Sequence, residues 1–220
     1  MYRKSALEVT MQAVTQTTNL FGRRLAGSFL YALTVSAVAM PVAIWAVGLA
    51  IGPQGLREKI LTHLHYDHCG NCAQLPNARI VVQRTELMAA AAPMGPAALA
   101  IGGKGLFYDR ADVAELVDPL WDRLDLIEGD VEIAPGLDCV LYADTHTPGH
   151  QCVYVETEKG AAAIVGDIAR KVDLNLEQAI PPAIYYDLEK MRRALADIAR
   201  RADVVLPTHD WDTMERGRIG

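Results

Sequence analysis

Cysteine is scarce in this 220-residue sequence, and four copies are too few to hold a chain of this length together as a disulfide framework. Two of them, Cys69 and Cys72, have CxxC spacing, but they directly follow a histidine-rich run and are predicted to be small buried side chains. Positive charge is also in short supply: the formal net charge of −6 excludes nucleic acid as the expected partner, because phosphate binding needs a basic surface. A phosphate loop is missing too, since residues 102–105 (GGKG) lack the GxxxxGK[ST] spacing.

The first 57 residues differ in composition from the rest of the chain. No acidic residue occurs between Glu8 and Glu58, and residues 25–56 carry no charge of either sign. Residues 29–51 are long enough to cross a bilayer, which takes about 20 residues. Because a basic leader precedes them, one interpretation is a signal-anchor or an export signal. Pro41 divides the stretch into two runs rich in β-branched residues, and buried or degenerate first strands are the other interpretation.

These two interpretations leave the compartment open. The chain is either cytoplasmic or membrane-anchored, with membrane association assigned to residues 25–56. From Glu58 onward, short apolar strands alternate with helical stretches, which predicts one α/β domain over residues 58–220. The clearest helix is predicted over Asp187–Arg201, where apolar residues recur at helical spacing behind an aspartate N-cap. Residues 112–126 are expected to be helical or irregular.

Three of the six histidines fall within six residues, as His63, His65 and His68, with Asp67 beside the last of them. A lone histidine is usually an ordinary polar group, but this clustering indicates a metal site. His63 and His65, two residues apart after a strand, can face one ion, while Asp67 and His68 can face a second. Imidazole and carboxylate ligands in this proportion suit Zn²⁺ with positions left open for water and substrate.

The run His63-x-His65-x-Asp67-His68 resembles the signature of the metallo-β-lactamase superfamily. Later segments are similar to the rest of that family's ligand set: residues 144–150 (DTHTPGH), residues 166–167 (GD) and residues 207–210 (PTHD). The resemblance implies an αββα sandwich that holds two metal ions, expected to be Zn²⁺, although other divalent transition metals are compatible. It assigns His63, His65 and His146 to one ion, Asp67, His68 and His209 to the other, Asp167 as a bridge between them and His150 to a place behind the ligands.

Within that superfamily, residues 61–210 look most like the N-acyl homoserine lactonase group. The resemblance implies a hydrolase that opens a lactone ring, with Asp67 passing a proton to the leaving group. Members of the group often carry a tyrosine three residues after the bridging aspartate. This chain has Arg170 there, which is predicted to stabilise an oxyanion. Candidates for the substrate pocket lie near the run and the glycine-rich stretch: Tyr66, Met94, Leu106, Phe107 and Tyr108.

Two alternative functions stay open from the sequence. The same site could hydrolyse another small thioester or phosphoester, or the fold could bind zinc or a metabolite without catalysis. The superfamily usually has a strand ending in Asp-x-Gly before the histidine run, but no aspartate precedes Asp67 in this chain. The first half-sheet is therefore predicted to be truncated or degenerate. The sequence does not indicate an oligomeric state.

Overall fold

The computed structural model describes residues 57–92, 107–157 and 159–210. The strands are β1 (Glu58–Ile60), β2 (Arg79–Gln83), β3 (Leu124–Ile127), β4 (Val131–Ala134), β5 (Leu137–Leu141), β6 (Gln151–Thr157), β7 (Gly160–Ile164) and β8 (Val204–Leu206). The α-helices are α1 (Tyr66–Cys69), α2 (Arg84–Ala91), α3 (Arg110–Val117) and α4 (Leu188–Arg201). Short 3₁₀ turns cover Cys72–Gln74 and Trp121–Arg123, and a π-helical turn covers Val172–Glu177.

The described strands form two sheets. The first is parallel, in the order β1-β2-β3. The second has the order β4-β5-β6-β7-β8, in which β4 to β7 are antiparallel neighbours and β8 runs parallel to β7. Since β5, β7 and β8 run in one direction, their carboxyl ends meet at one edge of the second sheet.

Three apolar clusters stack the elements into four layers. Successive residues of β2 point to opposite faces, so Ile80 and Val82 pack against α2 and α3, while Val81 packs against the second sheet. The far face of the second sheet is covered by α4, which begins at the predicted N-cap Asp187 and buries four residues at helical spacing. Helices, sheet, sheet and helix therefore follow one another, which confirms the αββα sandwich. The three clusters between these layers include Leu87 and Leu116 in the first, Ile60, Val81, Cys139 and Val153 in the second, and Val140, Cys152, Met191 and Ile198 in the third.

Two glutamines join the two sheets at the edge where β1 ends. The backbone N–H of Gln151 donates to Thr62 O at 2.9 Å, and its side-chain amide donates to Leu61 O at 2.8 Å. The amide of Gln83 donates in turn to Gln151 Oε1 at 3.0 Å and to Gly129 O at 2.7 Å. Because Gln83 and Gln151 are buried, these bonds satisfy polar groups that water does not reach. The loop after β1 is thereby fixed to the start of β6.

One sequence prediction is wrong about a strand, and others concern residues outside the described ranges. The prediction for residues 112–126 missed β3, whose start at Leu124 falls inside that range. Residues 1–56, together with the pocket candidates Met94 and Leu106, lie outside the described residues, so the predicted anchor and the predicted truncation of the first half-sheet stay predictions. Within the described ranges, no helix combines the length and apolarity that crossing a membrane requires.

Candidate metal centre

Four loops place the seven predicted ligands at one edge of the sandwich. The loop after β1 and the start of α1 carry His63, His65, Asp67 and His68, and the remaining three follow β5, β7 and β8. This is the position where α/β sheets collect ligands, beyond the carboxyl ends of their strands. Seven residues spread over almost 150 positions of sequence therefore meet in space: His63, His65, Asp67, His68, His146, Asp167 and His209.

The first group consists of His63, His65 and His146, all buried. His146 Nε2 lies 3.1 Å from His65 Nδ1. On its other side, His146 Nδ1 lies 3.1 Å from the carbonyl oxygen of Ile184 and donates to it, which leaves the Nε2 lone pair directed at His65. A backbone acceptor of this kind fixes the tautomer and the ring orientation of metal-binding histidines.

The second group consists of Asp67, His68 and His209. Asp67 Oδ2 lies 3.5 Å from the Nε2 atoms of both histidines. Asp167 lies between the two groups: its Oδ1 is 3.2 Å from His68 Nε2 and 3.0 Å from His209 Nε2, and its Oδ2 is 3.6 Å from His146 Nε2. One carboxylate thus contacts histidines of both groups, through different oxygens.

Two observations test whether these side chains fit metal ions. The Nε2 atoms of His63, His65, His68 and His209 are buried and have no well-aligned hydrogen-bond partner among the described residues. Yet the ligand atoms lie close, with the six separations given above between 3.0 and 3.6 Å. A tetrahedral zinc site with bonds of about 2.0–2.1 Å has edges of about 3.3 Å. The His65–His146 pair satisfies hydrogen-bond geometry, but the close contacts of Asp67 and Asp167 with the histidines do not. Such spacing fits side chains that surround ions, so the residues present fit two zinc ions.

Over residues 40–209 the sequence matches the metallo-beta-lactamase superfamily. The chain belongs to this superfamily. The matched region begins upstream of the domain boundary predicted at Glu58, and that boundary stays a prediction.

Several members of the superfamily are similar to this chain. The N-acyl homoserine lactonase AiiA of Bacillus thuringiensis subsp. kurstaki is 33% identical over 170 residues, which cover 76% of this chain and 61% of that protein. The lactonase AttM of Azorhizobium caulinodans is 30% identical over 173 residues, which cover 74% and 62%. A solved N-acyl homoserine lactone hydrolase, with N-hexanoyl-L-homoserine bound at its catalytic metal centre, aligns with a TM-score of 0.60 and 26% identity over 79% of this chain and 64% of that one. The chain therefore spans less than two thirds of the length of these relatives.

Burial and neighbouring charges set the protonation of this superfamily member's site. Burial lowers the pKa of His63 well below its usual range and that of His65 to about 3, and nearby imidazoles add to both effects. Burial also disfavours the charged form of His68, but the carboxylates of Asp167 and Asp67 outweigh it and raise the pKa of His68 to about 9. Burial would raise the pKa of Asp167, but the imidazoles of His209 and His68 beside it outweigh this effect and hold the pKa well below its usual range. Near pH 7, His63 and His65 are therefore neutral and Asp167 is anionic, as a divalent cation requires, whereas His68 must release its proton when an ion binds.

His150 lies behind the ligands, where the sequence reasoning placed it. It is fully buried, and its Nε2 accepts a hydrogen bond from the backbone N–H of Asp167 at 3.3 Å. Gly166 makes this contact feasible: it has a left-handed φ of +53°, and a Cβ there would lie 2.7 Å from His150 Nε2. The loop that carries Asp167 therefore rests directly on the His150 ring.

Glu86 is a buried carboxylate beside the ligand loops that the sequence does not predict. It is completely buried in the first turn of α2, and its carboxylate accepts hydrogen bonds from two of the ligand loops. The available signal is weak: a single acidic residue begins an otherwise apolar stretch, ELMAAAA, directly after a buried strand. Nothing in the local sequence identifies its partners, which are far away in the chain.

The predicted substrate residues occupy different environments. Arg170 is exposed and follows Asp167 by three residues along the chain. Tyr66 is 53% exposed, and its ring stacks on Phe107 at a centroid distance of 6.5 Å. Tyr108 instead packs on the first apolar cluster, and its hydroxyl donates to Glu86. Contact of any of these side chains with substrate stays a prediction.

Proposed function

We propose that this chain is a dinuclear zinc hydrolase that opens the ring of an N-acyl homoserine lactone. The observation that carries the proposal is the pair of ligand groups joined by Asp167, with four buried imidazole nitrogens lacking well-aligned hydrogen-bond partners among the described residues. A structural zinc site holds a single ion, whereas two adjacent sites that share a carboxylate are the arrangement of two-metal hydrolytic centres. The similarity to lactonases supports the choice of substrate.

His63, His65 and His146 would hold one zinc ion, Asp67, His68 and His209 the other, and Asp167 would contact both. Zinc, when bound, polarises a carbonyl group and lowers the pKa of water so that a nucleophile is available near neutral pH. Hydrolysis adds one water across the ester bond, so that the C–O bond of the ring breaks and a carboxylate and a hydroxyl result. The protein must therefore move one proton from the water to the leaving alkoxide oxygen.

Asp67 is the side chain best placed to move that proton. Its carboxylate is 21% exposed, compared with 6% for Asp167, so a substrate oxygen can approach it. Burial would raise the pKa of Asp67, but the neighbouring His68 imidazole lowers it overall, so the carboxylate is ionised and able to accept a proton. The Arg170 guanidinium would stabilise the oxyanion at the attacked carbonyl. The stacked rings of Tyr66 and Phe107 would contact the acyl chain.

One observation favours a second substrate class. Arg170 is exposed and forms no ion pair within the described ranges. A guanidinium in that state also suits a phosphate oxygen, which it can bind in a bidentate manner. A small phosphoester is therefore the alternative substrate on the same site.

The test combines metal analysis with activity. Purified protein is expected to contain close to two zinc ions per chain and to hydrolyse N-hexanoyl-homoserine lactone faster than a thioester or a phosphodiester. His146→Ala is expected to lose zinc and at least about 100-fold in kcat/KM, because it removes a ligand of the first group. Arg84→Ala, which alters only an exposed ion pair with Glu128, is the control and should change neither. Turnover that survives in His146→Ala, or wild-type protein without zinc, would refute the proposal.

A further inference from the structure

The Glu86 carboxylate is a junction between three separate parts of the chain. Its Oε1 accepts from the backbone N–H of Leu64 at 2.9 Å and from the hydroxyl of Tyr108 at 3.0 Å. Its Oε2 accepts from the backbone N–H of Gly149 at 2.8 Å. Burying a carboxylate costs free energy unless its oxygens are hydrogen-bonded, and these three donors provide that compensation. Both oxygens of the Glu86 carboxylate therefore accept hydrogen bonds from protein groups.

Two of the three donors belong to loops that carry ligands. Leu64 stands between His63 and His65, and Gly149 follows His146 by three residues. Each oxygen of the carboxylate thus holds one loop of the first ligand group. None of the second group, Asp67, His68 and His209, donates a hydrogen bond to Glu86 among the described contacts.

The packing at Gly149 shows how closely the second loop approaches α2. A Cβ on Gly149 would lie 2.3 Å from the backbone nitrogen of Glu86 and 2.7 Å from its Cα. Both atoms are backbone and cannot move aside cheaply. The glycine therefore allows the loop of His146 to rest directly on the first turn of α2, within reach of the carboxylate.

We propose that Glu86 is a positioning residue that couples the loop of His63 and His65 to the loop of His146, and so preorganises one of the two zinc sites. The proposal rests on the proposed zinc function. In this role both side-chain oxygens of residue 86 must accept hydrogen bonds, because both loops present N–H donors. A glutamine keeps one accepting oxygen and places an NH₂ group against the other loop, so that two donors face each other. Glu86→Gln therefore removes the hydrogen bond to one loop while it keeps the size of the side chain.

The matched control is Glu58→Gln. Glu58 is also a buried glutamate, but it lies on β1 and pairs with Arg79 at 2.6 Å, away from the contacts of the ligand loops. Zinc binding to wild type, Glu86→Gln and Glu58→Gln would be measured stepwise by competition with a chromophoric chelator, and Co²⁺ absorption spectra would report the ligand geometry. Circular dichroism would verify that each variant is folded.

Glu86→Gln is expected to weaken one zinc equivalent by about 10–100-fold, the usual effect of losing a contact behind a ligand, and to leave the other within about 3-fold of wild type. The weakened equivalent should be the one that His146→Ala abolishes, and Glu58→Gln should bind both as wild type does. If Glu86→Gln does not fold, Glu86→Asp replaces it: it keeps the charge but is too short to reach both loops, and the same result is expected.

Two outcomes would overturn the proposal. Unchanged binding of both equivalents in the folded variant would mean that the loops hold their positions without the carboxylate. Equal weakening of both would mean that Glu86 supports the fold in general. Wild-type protein that binds fewer than two zinc ions would refute the proposed function and this inference with it, whereas normal wild-type binding with an unaltered variant refutes the inference alone.

Discussion

Replacing Gly166 by alanine tests whether the loop of Asp167 is fixed by its contact with His150. Gly166 has φ +53°, and an added Cβ would lie 2.7 Å from His150 Nε2 and 2.9 Å from Thr62 Oγ1. Gly129 offers a matched control. It has a similar left-handed φ of +74°, but a Cβ there would have nothing within 4 Å. The two substitutions therefore share the backbone cost and differ in the steric one.

The backbone cost of a left-handed alanine is about 1–2 kcal/mol. Inserting a methyl group into a closely packed site costs about 1–3 kcal/mol more. We therefore expect Gly129→Ala to lower the free energy of unfolding by about 1–2 kcal/mol and Gly166→Ala by about 2–5 kcal/mol. For a protein of this size, 1 kcal/mol corresponds to about 2–4 °C in Tm, so the two variants should differ by roughly 2–12 °C.

The assay is thermal unfolding followed by circular dichroism, in chelator so that metal does not contribute. A separate zinc titration should show weaker binding only in Gly166→Ala, because moving His150 also moves the backbone N–H of Asp167 that it accepts from. Equal Tm losses in the two variants would refute the reasoning. They would mean that His150 and Thr62 move aside freely, and that the close approach does not fix the Asp167 loop.

Two further predictions concern protons and thiols. The metal-free protein should melt at a lower temperature at about pH 5 than at about pH 7. The pKa values of His63, His65 and His146 in the folded protein lie below their unfolded value, so between these pH values the unfolded chain takes up protons that the folded chain does not. The raised pKa of His68 has the opposite effect, but it belongs to a single group. An unchanged or higher Tm at the lower pH would contradict this balance. All four cysteines should resist a thiol reagent at about pH 8 until the protein is unfolded, since each is buried and burial raises the pKa of every thiol, that of Cys139 to about 12. Rapid labelling of Cys69 or Cys72 in the folded protein would contradict the prediction that these two are inert buried side chains.

The sequence was most informative where chemistry and periodicity coincide. The histidine run and the three later segments each follow a strand, and the structure brings all seven residues together at one edge. The helix α4 was predictable because its apolar residues recur at helical spacing after an N-cap. In both cases the information is local: a few neighbouring residues determine the element, and the order of strands determines where it lies.

The missed features depend on contacts between distant segments. Strands β3 and β4 have only four residues each, so their brief alternation of apolar and polar residues is too short to be distinctive. Pairing with β2 and β5 defines them instead. Glu86 was missed for the same reason, because the donors that justify a buried carboxylate lie 22 and 63 residues away. A single sequence does not specify such partners.

The glutamine bonds between the two sheets have a kinetic consequence. Gln83 and Gln151 connect the loop after β1 to the start of β6 through protein groups alone. In small zinc domains the chain folds as the metal enters, so metal uptake is as slow and as costly as folding. Here hydrogen bonds between protein groups, which need no ion, hold the first histidine loop. Zinc should therefore enter the metal-free protein at a rate set by its own loss of water, nearly independent of conditions that slow folding.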